Sequence, residues 1–348
     1  MIVGELAILL NLLSIMALGV LLIIGSVSLW VKVVHSKTKK TYLSVYSASS
    51  RRRILWLLAL SPWLVGLLAA SLAILSGTRV FAIVTSDIFE LFHWHHPQAF
   101  TFNSWHGLSL GFALSCASFL VIQNVKRLLV NRHQIKWLQS LSKPDQNNIY
   151  LLDAEVPTAF TAGYYQPQCY MTSALRKELT LEEYTIIQLH ENAHAKRADP
   201  LKKWFFQLLT SFYPLGASRQ LNQAMSLAME QCADATVSKV VIDKSKIAAT
   251  LLKIKRLSVG PFMSILDSGP IEDNTVCYFG SDQSVSSGIA SDSLSSDNLS
   301  DRIRYLLNDD QKNTVPLLLV VSVVIALSLF CAMSADLFHH AIEYSLAH

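Results

Sequence analysis

The sequence predicts a mostly α-helical membrane protein, with four transmembrane helices and an α+β domain between the third and the fourth. Three observations support this fold class. The 348-residue chain is 51% hydrophobic and only 16% charged, whereas about a quarter of the residues in a soluble domain are charged. The apolar residues are concentrated in four long runs. Residues 125–314, between the last two runs, instead mix polar and apolar residues in patterns typical of a folded domain.

The four apolar runs cover residues 2–31, 54–75, 105–122 and 315–335. At a rise of about 1.5 Å per residue, each is long enough to cross roughly 30 Å of hydrocarbon as a helix. A buried core helix is the alternative for each run, but such long runs almost without charge favour membrane spans. No basic segment precedes the first run, so we expect it to be a retained span rather than a signal peptide.

The distribution of basic residues predicts the orientation of the spans. The loop at residues 32–53 is rich in Lys and Arg, the loop at 77–104 contains only Arg79, and basic residues return directly after the third run. Because Lys and Arg are enriched in cytoplasmic loops, loop 32–53 and residues 125–314 are predicted to be cytoplasmic. The three-helix region 1–124 then starts outside, and the tail 336–348 after the fourth span is also extracytoplasmic.

The net charge bears on which partners the protein binds, and the cysteine content bears on whether it forms disulfides. The net charge of +4 comes largely from the clusters beside the membrane spans, so it requires no nucleic acid and is compatible with a bilayer containing anionic lipid. The five cysteines form no closely spaced pair. In a reducing cytoplasm we expect buried free thiols rather than disulfides. Self-association into a homo-oligomer is left open.

The cytoplasmic segment is predicted to begin with a small β-sheet and to continue as helices. Residues 149–152, 159–162 and 169–171 are short, apolar and separated by turn residues, as is typical of strands. Thr180 and Glu183 form a capping-box pattern, so a helix should begin at Leu181. A short apolar helix at 201–212 and a long one at 218–242 follow. The serine-rich stretch 281–300 is predicted to be a flexible loop, and helical character resumes at 301–307.

The motif His190-Glu191-Asn192-Ala193-His194 lies within the predicted helix. Residues i and i+4 lie on one face of a helix, so both imidazoles can reach one metal ion. Glu191 would then be placed to accept a proton from water activated by that metal. A chance match to this pattern occurs in roughly one of a hundred chains of this length. The motif predicts a zinc hydrolase, provided that further ligands are found.

A catalytic zinc ion requires a third protein ligand, and the long helix that follows the motif offers Glu230. Asp234 lies one turn further along the same face. Acidic side chains on an otherwise apolar face are costly to bury without a partner, and a metal ion with its histidines would supply one. The alternative is that both acids face solvent or pair with Lys239. Asp234 and Asp199 are predicted to accept hydrogen bonds from the liganding imidazoles, although Asp199 could serve only at the helix end.

Taken together, these segments resemble the BlaR/MecR-type membrane zinc metallopeptidases, which have a gluzincin-like fold. The resemblance rests on the Phe-Thr-Ala-Gly segment at 160–163, the motif helix that continues to Asp-Pro-Leu at 199–201, the Glu-x-x-x-Asp pair at 230 and 234, and Asp-Arg-Ile-Arg-Tyr-Leu-Leu at 301–307. It covers about residues 150–335. It implies a cytoplasmic metallopeptidase domain in a multi-pass protein of the bacterial inner membrane.

The resemblance also implies an activity and a ligand set. His190, His194 and Glu230 would hold one catalytic Zn²⁺ ion, and Glu191 would act as general base in hydrolysing a peptide bond. The substrate would be a cytoplasmic protein, for example a regulatory protein in signal transduction. Residues Ala159, Phe160, Thr161 and Ala162 are predicted to form an edge strand that pairs with the extended substrate, with an ordinary structural strand as the alternative.

The chain departs from this family pattern in two respects, and two alternative functions are considered beside the one it implies. Asn192 stands where a small or apolar residue is common. Only residues 336–348 follow the fourth run, so we expect no penicillin-binding sensor domain and no direct β-lactam sensing. An HtpX-type quality-control protease is one alternative, although that family places two spans between the motif and the third ligand. A metal-binding signalling or scaffold protein without turnover is the other.

A histidine-rich loop is predicted on the outer face, with His93, His95 and His96 around Trp94. An interfacial loop anchored by aromatic residues is the simple interpretation. The alternative hypothesis is a sensor of external metal ions or protons, because imidazoles bind transition metals and titrate near neutral pH.

Overall fold

The computed structural model describes residues 2–37, 46–76, 99–145, 149–258, 276–278 and 291–308, together with four single positions between 322 and 330. This part of the chain is mostly helical, with a few short strands, as the fold class predicts. The helices are α1 (Glu5–Lys37), α2 (Ala48–Ser76), α3 (Trp105–Leu141), α4 (Ser173–Glu178), α5 (Leu181–Arg197), α6 (Asp199–Thr210), α7 (Leu215–Val237), α8 (Lys244–Ser258) and α9 (Ser291–Leu307).

Three helices are long and apolar enough to cross a membrane, over Glu5–Val33, Ala48–Ser71 and Gly107–Leu141. They correspond to the first three predicted spans. Helix α3 continues past the apolar run that ends at residue 122. The basic segment predicted to extend this helix to Lys143-Pro144 is helical until Leu141. The fourth predicted span and the histidine-rich outer loop lie outside the described residues, apart from the four single positions mentioned above.

Helix α2 contains Pro62, which has no N–H to donate to the carbonyl of Leu58 one turn earlier. The hydroxyl of Tyr213, in the turn between α6 and α7, donates to this carbonyl over 2.6 Å. Ser61 Oγ donates to it as well, over 3.0 Å. Trp63 packs edge-on against Phe212 at a ring-centroid distance of 4.9 Å. The α6–α7 turn therefore lies against the middle of α2.

The largest apolar core joins α1 and α2 to α6 and α7. Phe206 and Leu209 of α6 and Leu221, Met225 and Met229 of α7 pack in one cluster with buried residues of both long apolar helices. The short helix predicted at 201–212 is observed as α6 and packs directly on α1 and α2. Burial of this apolar surface stabilises the arrangement of the site helices relative to the long helices.

The short strands are β1 (Ile2–Val3), β2 (Ala99–Phe100), β3 (Lys143–Pro144), β4 (Ile149–Leu152), β5 (Ala159–Ala162), β6 (Gln168–Thr172) and β7 (Val276–Tyr278). The first two pair with each other, and the rest form a sheet in the order β3-β4-β6-β5-β7. The β4–β6 pair is parallel and the other pairs are antiparallel. The three strands predicted after residue 148 are thereby observed as β4, β5 and β6.

The prediction that residues 159–162 form an edge strand is wrong. Strand β5 pairs with β6 on one side and with β7 on the other, with Phe160 opposite both Tyr170 and Tyr278. All four residues of β5 are buried. The error has a physical cause. The partner β7 follows β5 by more than a hundred residues, and local alternation of apolar residues indicates a strand without indicating its neighbours.

Helix α5 begins as the capping box predicts. The side chain of Thr180 accepts from the backbone N–H of Glu183, and the Glu183 carboxylate accepts from the backbone N–H of Thr180 over 2.8 Å. The helix ends at Ala198, which adopts a left-handed conformation with φ 50°. Asp199 and Pro200 then open α6, where the missing N–H of proline costs little. The chain therefore turns sharply directly after the motif.

The long helix predicted at 218–242 is observed as α7, shifted a few residues towards the N-terminus. The loop predicted for residues 281–300 is corrected in its second half, because α9 begins at Ser291. Buried Leu299 and Leu306 attach α9 to the cores around α5 and α8. Serine-rich composition lowers local helix propensity, and here the tertiary contacts of α9 override that preference.

Candidate metal centre

Helix α5 places both motif histidines on its buried face. The side chains of His190 and His194 are fully inaccessible to solvent. Their Nε2 atoms lie 3.1 Å apart, which follows from their i and i+4 spacing along one helix face. Two imidazole nitrogens buried this close to each other are suited to sharing one cation.

Glu230 of α7 completes a group of three ligand atoms. Its Oε2 lies 3.2 Å from His190 Nε2 and its Oε1 lies 3.5 Å from His194 Nε2. All three ligand atoms lie within 4.8 Å of one another. Tetrahedral zinc with bonds of about 2.0–2.1 Å separates its ligand atoms by about 3.3 Å. The spacing in this group therefore fits one ion, and two nitrogens with one carboxylate form a typical catalytic donor set.

A buried carboxylate supports each histidine from behind. His194 Nδ1 lies 2.8 Å from Asp199 Oδ2, and His190 Nδ1 lies 3.0 Å from Asp234 Oδ1. Both aspartates are almost fully inaccessible to solvent. A carboxylate behind the imidazole keeps the proton on Nδ1 and leaves Nε2 free to bind a metal. The structure thus brings both predicted supporting aspartates into contact with the predicted ligands.

Each aspartate is in turn held by an arginine that the sequence reasoning did not identify. Arg197 donates to Asp199 Oδ2 from Nε and Nη2, over 3.0 and 2.9 Å. Arg302 of α9 donates to Asp234 through Nε and Nη2, over 2.9 and 2.8 Å. Its Nη1 lies 3.1 Å from Glu230 Oε2. A clue was available for Arg302, because it lies three and four residues from the apolar Leu299 and Leu306, and an arginine on the apolar face of a helix needs a buried acidic partner.

These contacts account for the ionisation of the carboxylates. Burial by itself would raise the pKa of Glu230, but the charge of Arg302 and the two histidines hold it well below its usual range. Burial is likewise offset at Asp234 by Arg302 and His190, so that its pKa is lowered. The pKa of Asp199 is lowered through His194 and Arg197 against the effect of burial. All three groups are therefore carboxylates at neutral pH.

Glu191 lies beside this group and is fully buried. Its Oε2 accepts from the hydroxyl of Thr161 on β5 over 2.5 Å. Within the described part of the chain, Oε1 is buried and has no hydrogen-bond donor. Burial raises the pKa of Glu191, and the charges of His190 and His194 offset this only in part. A buried carboxylate oxygen without a donor is costly, and such groups are found at catalytic sites or where a water molecule or an ion is bound.

The unusual Asn192 contacts the sheet and lies outside the ligand group. Its Oδ1 lies 3.4 Å from the thiol of Cys169 on β6, which donates to it. Burial, together with the nearby charge of Glu191, raises the pKa of Cys169 to about 12, so this thiol stays protonated. Among the described residues, Cys116, Cys169 and Cys232 are free thiols. Cys169 is buried as expected, whereas Cys116 is exposed and Cys232 is only partly buried.

Strand β5 contributes Thr161 to the site, but its backbone is already paired on both sides. Of the predicted substrate strand, the structure therefore assigns Thr161 a contact with Glu191 and gives no free edge to Ala159, Phe160 or Ala162.

No family model matches the chain, and a comparison with curated proteins also found no match to it. The candidate site is thus defined by its geometry: a His-His-Glu group that could hold a metal ion.

Proposed function

We propose that the protein is a membrane-embedded, zinc-dependent endopeptidase of the BlaR/MecR type, which cleaves a cytoplasmic protein in signal transduction. The observation that carries the proposal is the Glu191 carboxylate, fully buried with one oxygen lacking a donor among the described residues, beside three converging ligand atoms. A purely structural metal site is closed by four protein ligands. Here only three protein ligand atoms converge, and the buried carboxylate of Glu191 lies beside them. Three protein ligands with a neighbouring general base are typical of a zinc hydrolase.

The residues of the site divide the chemistry among them. When bound, a zinc ion polarises a carbonyl and lowers the pKa of water. Glu191 is the general base, which accepts the proton of the attacking water and returns it to the leaving amine. Thr161 fixes one oxygen of Glu191 and leaves the other for this transfer. His190, His194 and Glu230 would hold the ion.

The location of the site supports a substrate on the cytoplasmic side. Helix α9, which contacts the site, also contacts Ala48 and Arg51 at the first turn of α2. Arg51, Arg52 and Arg53 belong to the basic cluster that predicts a cytoplasmic end for this apolar helix. A metal centre held beside that end would be within reach of a cytoplasmic protein.

The experiment compares wild-type protein with Glu191→Gln in cells and after purification into nanodiscs. We expect wild-type cells to contain at least one cytoplasmic cleavage product that Glu191→Gln cells lack. We also expect the purified variant to retain about one equivalent of zinc. Glu182→Gln is the matched control, because Glu182 lies on the same helix with a side chain 56% exposed.

The outcomes separate the competing functions. Full biological function of Glu191→Gln, with no difference in cleavage products, would favour the non-catalytic metal-binding scaffold. Purified wild-type protein without bound metal would overturn the metallopeptidase proposal itself. Cleavage products drawn from damaged membrane proteins rather than one regulator would favour the quality-control protease.

A further inference from the structure

Arg302 contacts the metal centre on two sides at once. Its guanidinium is bidentate to Asp234, over 2.8 and 2.9 Å, and its Nη1 lies 3.1 Å from Glu230 Oε2. The side chain is only 4% exposed. It reaches the site from α9, a helix that lies beyond the segment containing the ligands. One side chain thus holds a candidate ligand and also the carboxylate that supports another.

We propose that Arg302 is a positioning residue of the metal centre, and that Tyr305 on the same helix ties this residue to the start of α2. The inference rests on the proposed metal site and adds to it a connection with an apolar helix that could span a membrane. It assigns a role to two residues outside the motif helices.

The geometry shows how Arg302 would position the ligands. Glu230 Oε2 is shared between Arg302 and His190 Nε2, at 3.1 and 3.2 Å, so the carboxylate is held with Oε1 towards His194. Asp234 is held by a different edge of the same guanidinium, the one that carries Nε and Nη2, and it lies 3.0 Å from His190 Nδ1. A planar guanidinium can make these contacts together, whereas an ammonium group lacks the fork geometry for a bidentate pair.

Tyr305 lies three residues after Arg302 and therefore on the same face of α9. Its hydroxyl accepts from the backbone N–H of Ala48, over 3.0 Å. This N–H belongs to the first turn of α2, where helical N–H groups have no partner within their own helix. The ring of Tyr305 also lies under the guanidinium of Arg51, 5.1 Å from Cζ.

One helical turn of α9 therefore joins the first turn of α2 to the metal centre. A displacement of the start of α2 would move Tyr305, and through the rigid helix it would move Arg302 away from Glu230 and Asp234. The position of an apolar helix thereby affects the geometry of the ligands. The effect requires no change in the motif helix α5.

The test uses the full-length protein in nanodiscs and measures two properties of the metal centre. Zinc affinity is measured by competition with a chelator, and the visible spectrum of the Co²⁺-substituted protein reports the ligand geometry. We expect Arg302→Gln to lower zinc affinity about 10- to 100-fold, as is typical when support behind the ligands is lost. Arg302→Lys should lie between this variant and wild type and show a shifted Co²⁺ spectrum.

Arg304→Gln is the matched control, because Arg304 lies on the same helix with its side chain 70% exposed. We expect it to leave the affinity and the spectrum unchanged. A folded Arg302→Gln protein with wild-type affinity and spectrum would overturn the positioning role. Should Arg302→Gln fail to fold, the shifted spectrum of Arg302→Lys decides the question, and an unshifted spectrum would overturn the role.

Tyr305→Phe tests the tie to α2, because it removes the hydroxyl that accepts from Ala48 and keeps the ring under Arg51. We expect a loss of about 3-fold in zinc affinity, and no further loss when Arg302→Lys is already present, since coupled residues are not additive. Unchanged affinity in Tyr305→Phe, or full additivity with Arg302→Lys, would overturn the tie. Wild-type protein that binds neither Zn²⁺ nor Co²⁺ would instead overturn the metal site and this inference with it.

Discussion

Each of the two motif histidines is supported by an aspartate, which is held in turn by an arginine. The two supports differ in how far apart their residues lie in the sequence. His194 is held by Asp199 and Arg197, all within six residues at the corner between α5 and α6. His190 is held by Asp234 and Arg302, which come from α7 and α9. The first support is a local property of one helix end. The second exists only when three helices pack together.

This difference indicates which metal ligands are sensitive to how the other helices pack. The local support forms whenever α5 and the turn at Ala198 form. Even so, Arg197 also reaches α7, donating to the carbonyl of Cys232 over 3.1 Å. The long-range support requires the correct placement of α9, and α9 contacts the start of α2. We therefore expect perturbations at the first turn of α2, where α9 contacts it, to affect His190 and Glu230 before they affect His194.

The largest expected effect is the loss of the zinc ion itself, which does not depend on which histidine support is intact. His190→Ala and His194→Ala each delete a ligand, so stoichiometric zinc should be lost from both purified variants, whichever support is left behind. Metal content by elemental analysis measures this. His133→Ala is the control, because His133 is exposed on α3, and it should retain wild-type zinc. Retention of a full equivalent of zinc in either ligand variant would remove that residue from the proposed set.

The next effect compares the two supports directly. Asp199→Asn and Asp234→Asn should each lower zinc affinity, within about 10- to 100-fold, because an amide no longer accepts as a carboxylate does. We expect the larger loss in Asp234→Asn, since this change also deprives Arg302 of its bidentate partner and so loosens Glu230. Chelator competition on both variants checks the order. Equal losses, or a larger loss in Asp199→Asn, would show that the long-range support has no special weight.

A smaller effect concerns stability. Arg197→Met removes charged hydrogen bonds to Asp199 and two contacts to α7, through Cys232 and Thr236. We expect a loss of about 2 kcal/mol in the free energy of unfolding, typical for hydrogen bonds to a charged group. The corresponding loss for exposed Arg304→Met should stay within about 0.5 kcal/mol. Thermal unfolding in detergent measures both, and equal midpoints would show that Arg197 does not tie α5 to α7.

The smallest effect lies at the other end of α5. Glu183→Ala removes one half of the capping box and an ion pair of 2.7 Å with Lys253, and should cost about 1 kcal/mol in the free energy of unfolding. Glu178→Ala, at an exposed position at the end of α4, is the control and should cost almost nothing. We expect neither change to alter zinc affinity. A loss of affinity in Glu183→Ala would mean that the start of α5, as well as its end, positions the histidines.

Several elements were predictable because they depend on neighbouring residues. The capping box and the strands at 149–152 and 159–162 follow from short local patterns, and the first three apolar helices follow from the composition of continuous runs. The contact of Asp199 with a liganding imidazole was expected, but which histidine it supports was not. The edge assignment of residues 159–162 failed because β7 joins the sheet from far along the chain. The loop assigned to 281–300 failed in its second half because tertiary contacts outweigh the weak helix propensity of serine.

By itself, the sequence determined that His190, Glu191 and His194 lie on one helix, because the capping box at Thr180 marks its start. The four-residue separation of the two histidines then places both on one face of that helix. The sequence also determined the apolar runs, whose composition is sufficient for burial or for a membrane. Only the tertiary structure decided that Arg302 holds Glu230 and Asp234, and that Tyr305 contacts the start of α2. Such contacts join residues about 70 or more positions apart, and their formation depends on how whole helices pack rather than on any local spacing.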